Sequence, residues 1–199
     1  GHSSAASDVY KRQNLLFFMS LNIHRFAAIK GRQSGDDFYT VVCEMATIPR
    51  LFLFNEATIP TELRAQRHIN KSRIPEIAKY IVDNPKNYIF SALTASIDGK
   101  INFRPLKING KDSEVGELEI SGDARLMIND GQHRRAAIEK ALQDNPSLSN
   151  ETIAVVFSRD KGLKKSQQMF SDLNRHAIRP ATSIAPVSYT HLRAHETVV

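Results

Sequence analysis

Asn129-Asp130-Gly131-Gln132-His133-Arg134-Arg135 is the stretch from which the rest of the chain is read. Before it, Ala124-Arg125-Leu126-Met127-Ile128 has the aliphatic character of a strand. After it, Ala136-Ala137-Ile138-Glu139-Lys140-Ala141-Leu142 carries apolar residues at helical spacing. A strand, a glycine turn and a helix start leave several backbone N–H groups without an intrahelical partner, at the positive end of the helix dipole. Such a junction suits an anion, a phosphate above all, and two adjacent arginines reinforce that sign.

The chain has 199 residues, with 41% apolar and 24% charged residues, an ordinary balance for one globular domain with a real core. Formal net charge is +6, which is compatible with a polyanionic partner. Cys43 is the one cysteine, so neither an intramolecular disulfide nor a cysteine zinc cluster can form, and a reducing, cytoplasmic setting is expected. Its place in an apolar run points to a buried structural thiol rather than a nucleophile. The longest apolar run, Leu15 to Met19, is far too short to span a bilayer, so no membrane partner is expected.

Both ends read differently from the middle. Residues 1–13, containing Ser3-Ser4-Ala5-Ala6-Ser7-Asp8-Val9-Tyr10, resemble translated sequencing-adapter sequence, and so do residues 186–199, containing Tyr189-Thr190-His191-Leu192-Arg193-Ala194-His195. His191 and His195 mimic a helical metal pair but are discounted on that ground, and no metal site is assigned. Met19 is taken as a start, and the informative domain as 19–184, with a C-terminal continuation expected to be lost.

Along that domain the turn and period signals alternate. Phe26 to Lys30 and Phe38 to Met45 read as strands around the turn-rich Gly31 to Asp37. Ile74, Ile77, Ala78, Ile81 and Val82 recur at helical spacing, with Pro75 in the first turn and Asp83-Asn84-Pro85 as a stop. Phe90 to Ile97, an Asp98-Gly99 turn and Lys100 to Leu106 read as a hairpin. Lys107 to Gly116 reads as a loop, and Glu117 to Ile120 with Ala124 to Ile128 as a second hairpin around Ser121-Gly122-Asp123. A helix to about Gln143, a buried strand from Thr152 to Ser158 and a last helix from Ser166 to Arg175 follow. The expected architecture is α+β: a single mixed domain of strands and hairpins packed by helices.

Several roles are open to the residues of the opening stretch. Gly131 serves either a tight turn alone or the close approach of a phosphate to the backbone. Arg134 and Arg135 offer guanidinium forks for phosphate oxygens. Successive helix residues point roughly 100° apart, so one of the two faces a ligand and the other faces solvent or pairs with Glu139. His133 is a phosphate donor, a general acid or base, or a packed helix-start histidine. Gln132 is placed to position an attacking water. Asp130 orients His133, binds magnesium or caps the helix. Arg159, Lys161, Lys164 and Lys165 form a basic cluster suited either to DNA backbone contact or to plain solvation.

Asp130-Gly131-Gln132-His133-Arg134 is also the signature that names the DGQHR-domain proteins, and the chain resembles the DndB family within them. The resemblance runs over most of Phe26 to Ser183, through Ile48-Pro49-Arg50-Leu51-Phe52, Ala65-Gln66-Arg67 and Asp172-Leu173-Asn174-Arg175. It implies a ParB/sulfiredoxin-like fold, in which a glycine–basic segment opening a helix holds nucleotide phosphates. It implies that Gln66, Arg67, Asn174 and Arg175 join Gly131, Arg134 and Arg135 in one nucleotide pocket. Where sulfiredoxin-like members carry a reactive cysteine, this chain has Gln132, which removes thiol chemistry.

The function so implied is a DNA-binding transcriptional regulator of a bacterial DNA phosphorothioation system. Its partners are promoter DNA, phosphorothioated or not, and a nucleoside triphosphate with ATP foremost; Mg2+ and a further copy of the chain are left open. Hydrolysis at Asp130, Gln132, His133 and Arg134 is left open. The alternatives are an NTPase module of a phosphorothioation-linked phage-defence nuclease, and a non-catalytic assembly protein.

Overall fold

The computed structural model describes residues 23–52 and 70–162 and the single positions 165 and 168. Ile23–Gln33 (β1) and Asp36–Glu44 (β2) form an antiparallel hairpin, joined at Ser34-Gly35 with φ of 52° and 84°. Positive φ at both central residues gives a turn whose twist matches that of the strands it joins. Gly31 to Gln33 and Asp36-Asp37, expected in the separator, are paired in the ladder instead. The turn needs only its central pair, and the polar residues around it have no apolar face to lose by extending the strands.

A short helix, Ile48–Leu51 (α1), follows, burying Ile48 and Leu51. Arg73–Asp83 (α2) buries Ala78 and Ile81, as their spacing requires, and ends at Asn84, whose side-chain amide donates to the Tyr80 carbonyl at 2.9 Å. Leu93–Asp98 (β3), Ile101–Ile108 (β4), Lys111–Ser121 (β5) and Arg125–Asp130 (β6) come next, then Gln132–Asp144 (α3), a 3-10 turn at Pro146–Asn150, and Thr152–Arg159 (β7).

The middle strands correct the expected pairing. β3 pairs with β6, from Thr94 opposite Asp130 to Asp98 opposite Arg125, and β4 pairs with β5, from Ile101 opposite Ile120 to Ile108 opposite Lys111. The four strands are thus one long ribbon, reversed at Asn109-Gly110, where φ is 51° and 76°. The stretch expected as a loop holds the real hairpin turn. Asp98-Gly99 and Ser121-Gly122-Asp123, expected as reversals, form a corner where both strands bend together. There a Cβ on Gly99 would lie 2.4 Å from the Ala124 Cβ, and the Ser121 amide donates to the Lys100 carbonyl at 3.0 Å. Turn-forming residues mark a departure from a straight strand, and a bend uses the same residues as a reversal.

The sheet order is β4-β5-β1-β2-β7-β3-β6, antiparallel throughout except for the parallel β3–β7 pair. Since the two halves of one ribbon attach at its two ends, the sheet is strongly curled. Its inner face carries Val41, Cys43, Leu93, Ile97, Leu118, Val155 and Phe157, all nearly inaccessible, packed with Ile81, Ile138 and Ala141 of the helices. Phe26 and Phe52 flank the Phe157 ring, each with its centroid 6.1 Å away. Truncating Phe157 to alanine would cost about 3–5 kcal/mol. The fold is α+β, as expected. The expected last helix, apart from Gln168, and the stretch from Thr61 to Arg67 lie outside the described residues.

Candidate functional site

The strand–glycine–helix junction forms as its sequence implies. β6 ends at Asp130, Gly131 takes the left-handed conformation (φ 101°, ψ 18°) and α3 begins at Gln132. The Gly131 carbonyl accepts the Arg135 amide at 2.9 Å, which starts the helix. No side chain caps α3 and no acidic residue lies in its first turn. Asp130 is therefore not the cap that its residue type allows. A Cβ on Gly131 would stand 2.4 Å from Leu93 Cδ2 and 3.1 Å from Arg134 Nη2, so both conformation and space demand glycine here.

Arg134 folds back over this turn. Its Nη2 donates to Asp130 Oδ2 at 2.5 Å, and its Nη1 donates to the Ser91 carbonyl at 2.9 Å and to the Ser91 hydroxyl. The guanidinium thus braces three elements: the end of β6, the start of α3 and the segment entering β3. Its side chain is 16% exposed, so it is not fully closed off from solvent.

Arg135 points the other way, into the protein, and is 9% exposed. Its Nε donates to the Phe52 carbonyl at 3.1 Å, Nη2 to the Pro49 carbonyl at 3.3 Å and Nη1 to Glu139 Oε2 at 2.6 Å. It therefore holds the C-terminal end of α1, where carbonyls lack helical partners. Of the expected division between the two arginines, the pairing with Glu139 is the part that forms, and Arg135 makes it, while Arg134 lies at the turn.

His133 accepts the Asn70 backbone N–H on Nε2 at 2.9 Å, so its proton in the neutral form sits on Nδ1. Burial, and then the charge of nearby Arg73, push His133 below its usual basicity, against an opposing pull from Asp130. Gln132 donates weakly to the Ile128 carbonyl at 3.4 Å. Beneath the turn, buried Asn129 donates to the Ser96 hydroxyl at 2.5 Å.

Asn70, Arg73, Ser91 and the Asn129–Ser96 pair were not legible as site residues. Asn70 alone leaves a trace, since Asn70-Lys71-Ser72 is a turn pattern before a helix, and its Oδ1 does accept the Ser72 N–H at 3.1 Å. Gln66, Arg67, Asn174 and Arg175 lie outside the described residues, as does Lys164.

The basic cluster stands apart from the turn. Arg159 ends β7 opposite Ile97, three strand positions, or roughly 10 Å, from the Thr94–Asp130 pair. Lys161 is ion-paired with Asp36 beside the β1–β2 turn. The Lys161 hydrogen bond, with the charges of Lys165 and Arg32, holds the Asp36 carboxyl below its ordinary range. Arg32 thus joins Arg159, Lys161 and Lys165 at this end of the sheet.

Cys43 is buried on β2, and burial pushes its thiol up to about 11, which makes it a poor nucleophile, as expected. Among the described residues no group of three or more His, Cys, Asp or Glu side chains is placed to hold a metal, and the carboxylate at the turn, Asp130, is engaged by Arg134. No helix among the described residues is long and apolar enough to cross a membrane.

Compared with known proteins, residues 26–198 match the model of a family described as DndB: DNA-sulfur modification-associated. No curated protein and no solved structure matches the chain.

Proposed function

The chain belongs to the DndB family of DNA-sulfur modification-associated proteins, and from that membership we propose that it is a cytoplasmic, DNA-binding transcriptional regulator of a DNA phosphorothioation system, tuned by a nucleotide at the Gly131 turn. The observation that supports the nucleotide is the start of α3: a glycine in the left-handed conformation, first-turn amides without a side-chain cap, and the Arg134 guanidinium laid over them. A phosphate takes those amides and one edge of Arg134. Arg73, exposed on the first turn of α2 beside His133, supplies the second cation, and Arg135 supports the site from behind. Gln66, Arg67, Asn174 and Arg175 complete the pocket on the strength of the family resemblance. ATP is the nucleotide of first choice, and Mg2+ arrives on its phosphates.

DNA binds at the other end of the sheet, where Arg32, Arg159, Lys161 and Lys165 meet the phosphate backbone. Nucleotide binding recruits Arg134 away from Asp130 and Ser91, and so loosens the entry to β3. β3 pairs with β7, whose last residue is Arg159, which gives the two ends a physical connection.

The test is ATP binding by titration calorimetry, with promoter-DNA binding measured with and without ATP, on the full chain and on Arg134→Ala. ATP binding that falls about tenfold or more in the variant, with DNA affinity that shifts with ATP, is the expected result. DNA binding indifferent to every nucleotide would sink the nucleotide-tuned reading. Phosphate release measured alongside decides between sensing and turnover, and steady turnover stimulated by DNA would favour the NTPase module.

A further inference from the structure

The exposed large aliphatic side chains are gathered on one surface. Ile29, Val42, Leu106, Ile108 and Val115 are 57%, 65%, 57%, 55% and 40% exposed, and only Ile89 shares that status elsewhere among the described residues. The strand register puts Ile29, Val42 and Val115 on the outer face of β5-β1-β2, the side opposite the core, and exposed Leu106 and Ile108 follow on the tip half of β4. Val115 sits opposite Ile29 and Ile29 opposite Thr40, while Val42 lies two residues further along β2. Leu106 and Ile108 continue the exposed positions of Asn102 and Arg104 along β4, past the irregular step at Pro105, and Ile108 lies opposite Lys111 on the β5 side. The Phe38 ring extends the same face over Gly31.

Four of the charges beside this patch already satisfy one another. Arg25 and Arg104 reach Glu119 at 3.0 Å and 2.9 Å and Glu117 at 4.0 Å and 3.9 Å. The Asn102 amide adds a hydrogen bond to Glu119 at 3.1 Å. These two cations are matched by these two anions, so the face around Ile29 and Val115 carries balanced charge on a chain whose formal net charge is +6, with exposed Lys111 opposite Ile108 at the ribbon tip and exposed Glu44 beyond Val42 at its margins. For a polyanion the patch offers Lys111 at the ribbon tip, against the cluster of Arg32, Arg159, Lys161 and Lys165 at the end of the sheet. A second copy of the same basic chain meets less repulsion here than across its charged surface, and a face of balanced charge can complement itself about a two-fold axis.

The neighbouring sheet edge does not offer an alternative route. β4 is an edge strand, but it carries Pro105 and an irregular step before Lys107, features that block strand addition. Association through the face is left open. The five side chains expose roughly 450 Å2 per copy, over half of the ~800 Å2 that each partner buries in a standard interface, and the partly exposed Phe38, Thr40 and Val156 lie beside them.

We propose that the outer face of β4-β5-β1-β2 is a homodimer interface, in which two copies pack sheet against sheet around Ile29, Val42 and Val115. The proposal is independent of the nucleotide reading, because the Gly131 turn takes no part in it.

Sedimentation velocity on the full chain over a micromolar concentration series tests it. The wild type should be a dimer that dissociates on dilution. Ile29→Glu and Val42→Lys, each placing a charge at an already exposed position, should weaken dimerisation about tenfold or more. Ile89→Lys, 85% exposed but off the patch, should leave it unchanged. A wild type that stays monomeric across the series overturns the proposal, and so does a dimer that survives both patch variants. If Val42→Lys instead changes affinity for duplex DNA in a monomeric protein, the face is a DNA surface and the dimer is refuted.

Discussion

Replacing Arg135 with alanine asks whether this guanidinium supports the protein or holds a ligand. It donates to the Phe52 carbonyl at 3.1 Å, the Pro49 carbonyl at 3.3 Å and Glu139 at 2.6 Å, with its side chain 10% exposed. Buried hydrogen bonds to a charged group contribute about 1.5–3 kcal/mol each, and the longer Pro49 bond belongs at the low end. Glu139 is 45% exposed, so its helix pair adds only about 0.5 kcal/mol. Alanine also leaves the α1 carbonyls without partners, although water reaching them returns part of the loss. The net cost comes to about 3 kcal/mol, against a total stability of about 5–15 kcal/mol for a domain. In a thermal melt this is a fall of about 6–12 °C. Arg135→Lys keeps the charge but loses the fork, and should recover no more than about half. Urea unfolding followed by circular dichroism gives both numbers. If Arg135→Ala matched the wild type within about 0.5 kcal/mol and instead lost ATP affinity, the inward assignment would be wrong.

Other perturbations address the turn and the core. Gly131→Ala forces a side chain into the left-handed region and against Leu93, and should cost about 2–3 kcal/mol in urea unfolding; a neutral result would contradict the close approach described here. Asp130→Asn weakens the tether on Arg134, so ATP should bind about three- to tenfold tighter, whereas weaker binding would make the carboxylate a direct contact. His133 is held below its ordinary 6.5 in the folded chain, so the unfolded chain takes up the proton first. Its contribution to stability is complete above that value and is lost as pH falls below it, and the wild type should lose stability on acidification more steeply than His133→Gln. Equal slopes for the two proteins would refute this. The Cys43 thiol, at about 11 and buried, should resist iodoacetamide at about pH 8 until the protein unfolds. Alkylation of the native protein at the rate of a free thiol would show an open core.

The local features were legible without a structure. The strand–glycine–helix junction rests on residues within one turn of each other, and α2 rests on the repeat of Ile74, Ile77, Ala78 and Ile81. Buried Cys43 followed from its place in an apolar run, which became β2. What was misread is equally specific. Gly99 and Gly122 look like hairpin turns, and only the register shows that both strands of one ribbon bend there while the reversal falls at Asn109-Gly110.

The amino-acid sequence by itself determined that a glycine would open a helix after a strand, with the positive end of the helix dipole at the turn, because conformation and dipole are properties of adjacent residues. It also carried the motif that places the chain with the DNA-sulfur modification-associated family. The assignment of Arg134 to the turn and of Arg135 to the core was decided only by the tertiary structure. Ser91, Pro49 and Phe52 come from segments 43, 86 and 83 residues earlier in the chain. A guanidinium goes where buried acceptors need donors, and only the fold brings those acceptors within reach.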